Sequence, residues 1–219
     1  MKYRIDKSRN ERNFFNIILL FIKSIERIGI LNLVLIIYYE FIFLFIGNYK
    51  DLFFKEESSK IKKKKFDQYY IPTPYYYLKI ISDQIRKLKI EHCTLIDFGC
   101  GKCRVINFFN NDFKNIVGID IKAYYKNFLI SKKQKYINLN LRDLKKTKKL
   151  NNFLKKDRVL FFYEPFDINL TKKLIKIFLK GKCLVITINI KKIKNKKLKV
   201  FYSKKFKHSN PDIFIYKNF

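Results

Sequence analysis

The chain has 219 residues, room for one domain with a substantial core plus an appendage, and carries a formal charge of +31. That charge suits a polyanionic partner, but a composition rich in Lys, Ile, Asn, Phe and Tyr, with no Trp and Ala123 as its sole alanine, is equally what an AT-rich coding sequence produces, so charge alone selects no partner. Cys93, Cys100, Cys103 and Cys183 exclude a disulfide framework at this length and favour a reducing, cytoplasmic setting; with His92 and His208 they also lack the paired spacing of a zinc site, and no metal is expected.

Residues 1–13 are polar and of mixed charge. Two apolar stretches follow, Phe14 to Ile22 and Ile28 to Ile46, separated by Lys23, Glu26 and Arg27. The second is about long enough to span a bilayer, and Glu40 is its only ionisable side chain apart from two tyrosines. Basic residues flank both ends, so charge asymmetry gives no orientation, and no small-residue cleavage site follows. Three arrangements stay open: a helical pair packed on the following domain, an anchor lying in one leaflet, or a spanning helix. The run KIKKKK (Lys60 to Lys65) is a linker that would also face an anionic leaflet, each Lys there contributing about 1 kcal/mol. Residues 1–65 are therefore set apart from residues 66–219.

The domain opens with Tyr69, Tyr70, Pro72, Thr73 and Pro74. The prolines hold the chain extended, and Thr73 or Pro74 starts a helix reaching about Leu88, with Tyr77, Ile80, Ile81, Ile85 and Leu88 at helical spacing. Next comes LIDFGCGKCR, Leu95 to Arg104. A short apolar strand ends in Asp97, then turns on Gly99 and Gly101 into a helix from Arg104 to Asn110. This strand, glycine turn and helix set backbone N–H groups and a helix N-terminus against a nucleotide-like ligand. A second strand, Asn115 to Ile119, ends in Asp120, 23 positions after Asp97. That is close to the offset of roughly 20 residues at which an acid meets ribose hydroxyls in such folds. Three of the 6 glycines (Gly99, Gly101, Gly118) fall in these two segments, which marks them as places where a side chain would obstruct the backbone. Cys100 and Cys103 form C-x-x-C, but without the Trp and Pro of a redox turn they read as small turn residues.

A short helix, about Lys122 to Ser131, leads to a third strand, Tyr136 to Leu141, followed by Arg142 and Asp143; the latter suits the N-cap of a helix from Lys145 to Leu154. The fourth strand, Arg158 to Tyr163, is almost wholly apolar, as a central parallel strand should be, and ends in Glu164-Pro165-Phe166-Asp167. Then follow a helix (Ile168 to Leu179), a break at Gly181 and a fifth strand (Leu184 to Ile190). Two strand-like runs, Leu198 to Phe206 and Asp212 to Tyr216, flank the turn signal SNPD and close the chain as an antiparallel hairpin.

LIDFGCGKCR followed by IVGIDI resembles the cofactor-binding half of class I S-adenosylmethionine-dependent methyltransferases, over roughly Tyr69 to the C-terminus. The resemblance implies an α/β, Rossmann-like, seven-stranded, mostly parallel sheet with a C-terminal antiparallel hairpin, here preceded by a hydrophobic helical segment. It implies S-adenosyl-L-methionine as cofactor, held by Asp97, Gly99, Cys100, Gly101, Arg104, Asp120, Ile121 and Tyr163. By the same resemblance Asp143 accepts from the adenine amino group, Thr73 belongs to a lid with Tyr69 and Tyr70, and Arg104 or Lys102 meets the cofactor's carboxylate. Glu164, Pro165 and Phe166 resemble the turn that amine-directed members place beside the transferred methyl, with Glu where Asn or Asp is commoner. Cys103 stands where such enzymes commonly carry a third glycine.

The expected activity is methyl transfer to an unidentified acceptor: a protein lysine or other amine, RNA, or a small molecule. The layout also resembles membrane-associated protein-lysine methyltransferases, which favours a protein lysine near a membrane; the apolar stretches and KIKKKK add an anionic membrane surface as an expected partner of a cytoplasmic protein attached to the inner face of a membrane through residues 14–46. Two other classes compete: an NAD- or nucleotide-binding protein, which would need a closer three-glycine approach than Cys103 permits, and a non-catalytic domain docked on a membrane.

Overall fold

The computed structural model describes residues 22, 25–26, 28–46, 73–154, 157–163, 168–190, 192–206 and 213–219. Seven strands form one sheet: β1 (Thr94–Phe98), β2 (Asn115–Asp120), β3 (Gln134–Asn138), β4 (Arg158–Tyr163), β5 (Cys183–Ile188), β6 (Lys199–Lys204) and β7 (Ile213–Lys217), in the order β3-β2-β1-β4-β5-β7-β6. The first five are parallel. β7 runs antiparallel between β5 and β6. The order of strands reverses between β1 and β4, and in open α/β sheets that reversal opens a crevice beyond the strands' carboxyl ends. β1 and β5 are buried along their whole length and β4 along all but its last residue, which explains their unbroken apolar runs.

Alternation along the strands divides the core. Leu95, Val159, Phe161 and Ile186 face α2 (Tyr75–Ile85, extended by a 3-10 turn, Arg86–Leu88) and α3 (Arg104–Phe108). Ile96, Phe98, Leu160 and Phe162 form the other face with Leu170, Leu174 and Phe178 of α5 (Ile168–Phe178); partly buried residues of α4 (Leu144–Phe153) pack beside them. On that second face Phe98 and Phe162 stack with centroids 4.6 Å apart. The buried guanidinium of Arg158 closes the lower end of this layer. It donates to the Oδ1 and backbone oxygen of Asn151, to the Leu154 oxygen at 2.9 Å and to the Phe178 oxygen at 3.2 Å, placing a cation on the carbonyl ends of α4 and α5.

The apolar N-terminal run forms α1 (Ile30–Ile46), which packs on α2. Phe43 stacks on Tyr75 at 4.6 Å and Tyr39 on Tyr76 at 5.7 Å. The phenol of Tyr76 donates to Asn32 Oδ1 at 3.3 Å and accepts from Lys204 of β6 at 3.2 Å. The second apolar stretch thus packs on the following domain, whereas Phe14 to Phe21, the first helix of the expected pair, lies outside the described residues. Among the described residues no helix is long and apolar enough to cross a membrane. α2 is accordingly buried on more sides than its own periodicity announced: Tyr75 and Tyr76, off the predicted apolar face, are covered by α1.

Several boundaries differ from expectation for identifiable reasons. β3 covers Gln134–Asn138 rather than Tyr136 to Leu141, because its ladder partner β2 ends at Asp120 opposite Asn138. β5 stops at Ile188 rather than Ile190, because Asn189 adopts a left-handed φ of 59°. The expected helix from Lys122 to Ser131 is a 3-10 segment, Ala123–Phe128. The helix after the glycine turn ends at Phe108 and continues as the 3-10 turn Phe109–Asn111.

Candidate functional site

The glycine turn owes its shape to three left-handed residues in five: Gly99 (φ 76°), Gly101 (φ 49°) and Cys103 (φ 65°). The position where a third glycine was missed thus keeps a glycine-like conformation while carrying a fully buried cysteine. Gly99 and Cys100 both donate to the Ile119 oxygen, at 2.8 and 3.2 Å, so the turn is stitched to the neighbouring strand before the helix begins. A Cβ on Gly118 would lie 2.7 Å from Cys100 Sγ, which is the close approach that keeps this position bare.

Asp97 and Asp120 stand at the tips of β1 and β2 on one face of the sheet. Asp97 is 3% exposed and its Oδ2 has no hydrogen-bond partner. Burial, reinforced by the nearby Asp120, pushes its carboxyl well above the usual carboxylate range. Asp120 is half-buried. Its Oδ2 accepts the Gly101 N–H at 3.0 Å and its Oδ1 the Lys122 N–H at 3.1 Å. Each oxygen keeps a further lone-pair direction for a ligand. Ile121 follows, exposed, its carbonyl held by Asn138 Nδ2 at 2.7 Å.

Asp97, Gly99, Cys100, Gly101, Asp120 and Ile121 therefore meet at one edge, and Tyr163, half-buried at the end of β4, closes the strand adjoining β1. The other expected site residues have different surroundings. Asp143 caps α4, accepting the Lys146 N–H at 3.1 Å, and lies five residues beyond β3. Arg104, 2% exposed, gives its Nη1 to Glu40 Oε1 and Oε2 at 3.0 and 2.9 Å and to the Thr73 carbonyl at 3.2 Å, and stacks on Tyr75 at 4.4 Å. Lys102 is buried, with its Nζ 5.9 Å from the Phe128 ring centroid. Thr73 is buried at the entry to α2. Glu164, Pro165, Phe166, Asp167, Tyr69, Tyr70, KIKKKK and SNPD lie outside the described residues.

Glu40 is the residue sequence reasoning did not place in this neighbourhood. Its signal was present: a lone carboxylate in a long apolar run requires a partner, and such groups pair with cations inside the fold. The C-x-x-C thiols are both buried, and burial, then the hydrogen bond of the Cys100 thiol to Cys103, raises the Cys100 thiol well above its usual range, opposite to a reactive cysteine. Among the described residues no cluster of His, Cys, Asp or Glu is arranged for a metal ion. A groove of about 590 Å³, lined by lysines, lies between α4 and α5, on the face of the sheet away from Asp97.

No protein-family model matches the sequence, and no curated protein matches it. Solved structures do. A Staphylococcus aureus protein described as a caffeoyl-CoA O-methyltransferase superposes at TM-score 0.52 with 14% identity, covering 68% of this chain and 86% of its own. An Escherichia coli protein, yhhF, described as a methyltransferase gives 0.51 with 12% identity, covering 68% and 87%. A Pyrococcus horikoshii protein described as an RNA methyltransferase gives 0.50 with 13% identity, covering 71% and 90%. The chain has the class I methyltransferase fold.

Proposed function

We propose that the protein is an S-adenosylmethionine-dependent methyltransferase. The observation that carries this reading is Asp97 Oδ2, a buried and partnerless carboxylate oxygen on the same face as Asp120, beside a turn whose backbone is bare at Gly99 and Gly101. The residues fit the donor: Asp97 would hold its amino group, Asp120 its sugar hydroxyls, and Ile121 would cover an adenine edge. A cationic ammonium beside Asp97 removes the cost of ionising that carboxyl. An NAD-type pyrophosphate is the poorer fit, since Asp97 and Asp120 repel it and Cys103 fills the third glycine position.

The bound donor supplies an electrophilic sulfonium methyl, which passes to a nucleophile as a neutral thioether leaves. The chain's part is orientation and charge complementarity: carboxylates at two strand tips fix the donor, and the Tyr163 face favours a nearby cation. An amine acceptor, such as a protein lysine, is supported by Glu164, which follows β4 in sequence and would orient the amine and take its proton through water. Calorimetry with S-adenosylmethionine, S-adenosylhomocysteine and NAD tests the donor, with Asp120→Ala as the blank. Labelled methyl transfer into protein, RNA, lipid and small-molecule fractions tests the acceptor. The first proposal fails if neither sulfonium donor nor thioether product binds; the amine assignment fails if Glu164→Gln turns over unchanged.

We also propose attachment to an anionic membrane surface from the cytoplasmic side. Ile30, Leu31, Val34, Ile37, Tyr38 and Phe41 form an exposed row along α1, and the neighbouring segments carry Lys2, Arg4, Lys7, Arg9, Arg12 and Lys60 to Lys65. Apolar insertion and basic attraction reinforce each other at such a surface. Sedimentation with vesicles of phosphatidylcholine, with and without phosphatidylglycerol, should show binding to the anionic vesicles that Val34→Glu abolishes; equal binding by Val34→Glu refutes the role of α1.

A further inference from the structure

α1 brings one charged side chain to the interface beside the glycine turn, and two donors converge on it. Glu40 Oε1 accepts the Tyr75 N–H at 2.9 Å, one of the amides that opening a helix leaves without an intrahelical partner. Both Glu40 oxygens accept from Arg104 Nη1. Arg104 is itself the first residue of α3, directly after Cys103, so what holds its side chain holds the start of that helix. A guanidinium 2% exposed at such a place needs a counter-ion; Glu40, 24% exposed along its side chain and 64 residues away in sequence, supplies it. Eight residues earlier on α1, Asn32 joins Tyr76 and through it Lys204, so the helix is clasped at two points rather than resting on grease alone.

We infer that α1 is a working part of the donor site and that Glu40 is its positioning residue: by neutralising Arg104 and holding the Tyr75 amide, it fixes the start of α3 and thereby the Gly99 to Cys103 turn on which the donor rests. This rests on the donor reading given above. Glu40 touches no reacting atom; it acts through Arg104. Loss of the carboxylate takes from Arg104 Nη1 both of its bonds to α1 and from the Tyr75 amide its acceptor, so that the start of α3, and the turn before it, is no longer tied to α1. Whatever moves α1 would then be felt at the donor site.

The test uses the full chain, at a temperature well below its melting transition. Calorimetry with S-adenosylhomocysteine should show Glu40→Gln weakening binding by about tenfold, with Glu40→Asp, which keeps the charge, restoring most of it. In the donor-free protein, hydrogen exchange at the Gly99 to Cys103 amides should quicken by roughly tenfold in Glu40→Gln while β5 stays as protected as before. A lower melting temperature with unchanged affinity and unchanged turn exchange would make Glu40 a packing strut and overturn the inference. Tighter binding by Glu40→Gln would overturn it too, showing that Glu40 competes for Arg104. If the wild type binds no donor product, the donor reading fails by itself, and the exchange measurement still decides whether Glu40 holds the turn.

Discussion

Asp97 lies directly opposite Gly118 in the β1–β2 ladder, and Asp120 is two residues further along β2. Residues two apart on a strand share a face, so the two carboxylates point to the same side of the sheet. Their proximity is felt electrostatically, since Asp120 helps to raise the Asp97 carboxyl. Two acids at one edge, one of them with an oxygen that has no partner, cost stability there, and the proposed donor would offset that cost.

Asp97→Asn should therefore separate stability from binding. It removes the charge that burial and Asp120 both disfavour while keeping the shape of the side chain, and should stabilise the donor-free protein at neutral pH by about 1 kcal/mol or more. The same variant should lose donor-product affinity by about tenfold or more, as expected when a charge-assisted contact is lost. Thermal melting and calorimetry on the two proteins check both halves.

The pH dependence follows from the same group. Asp97 is raised, so the folded donor-free chain keeps its proton at pH values where the unfolded chain has lost it. Its contribution to stability is complete below the ordinary value of 3.8 and declines as pH rises through the elevated folded value. The difference in stability between wild type and Asp97→Asn should widen across that window, in favour of the variant. Affinity for the cationic donor should move the other way, rising with pH as the carboxylate forms. Denaturant titrations and calorimetry across the acid range measure the two slopes.

Gly118→Ala should disturb the turn from behind. The new Cβ meets Cys100 Sγ at 2.7 Å and Ile106 Cδ1 at 3.1 Å, so the turn or α3 must shift, at about 1–3 kcal/mol for overpacking. Adding Cys100→Ala removes the closest atom and should restore both stability and donor-product affinity in part. Failure of that second change to rescue would place the clash elsewhere.

Arg158→Met tests the opposite layer. The guanidinium holds Asn151, Leu154 and Phe178, and its loss takes a charged donor from each of them. A loss of roughly 3 kcal/mol is expected from breaking such a buried charged network. Because this layer faces away from Asp97, donor-product affinity of the folded variant should stay unchanged. Urea melts and calorimetry give the two numbers.

Local chemistry made much of this molecule readable from its sequence. Short apolar runs ending in acids, a glycine turn and a terminal hairpin sufficed for the seven strands and for Asp97 and Asp120, since period-two alternation and glycine's backbone freedom act within a few residues. The N-cap role of Asp143 was legible for the same reason. Strand ends depended on the partner strand instead: β3 halts where β2 runs out, and no local pattern in Tyr136 to Leu141 records that. Long-range pairing decided the rest. An apolar run with one glutamate is compatible with lipid, with a leaflet or with another helix, and only the folded chain brings Glu40 to Arg104 across 64 residues. A buried charge must find its counter-ion wherever the fold offers one, and sequence neighbours carry no information about a partner that distant.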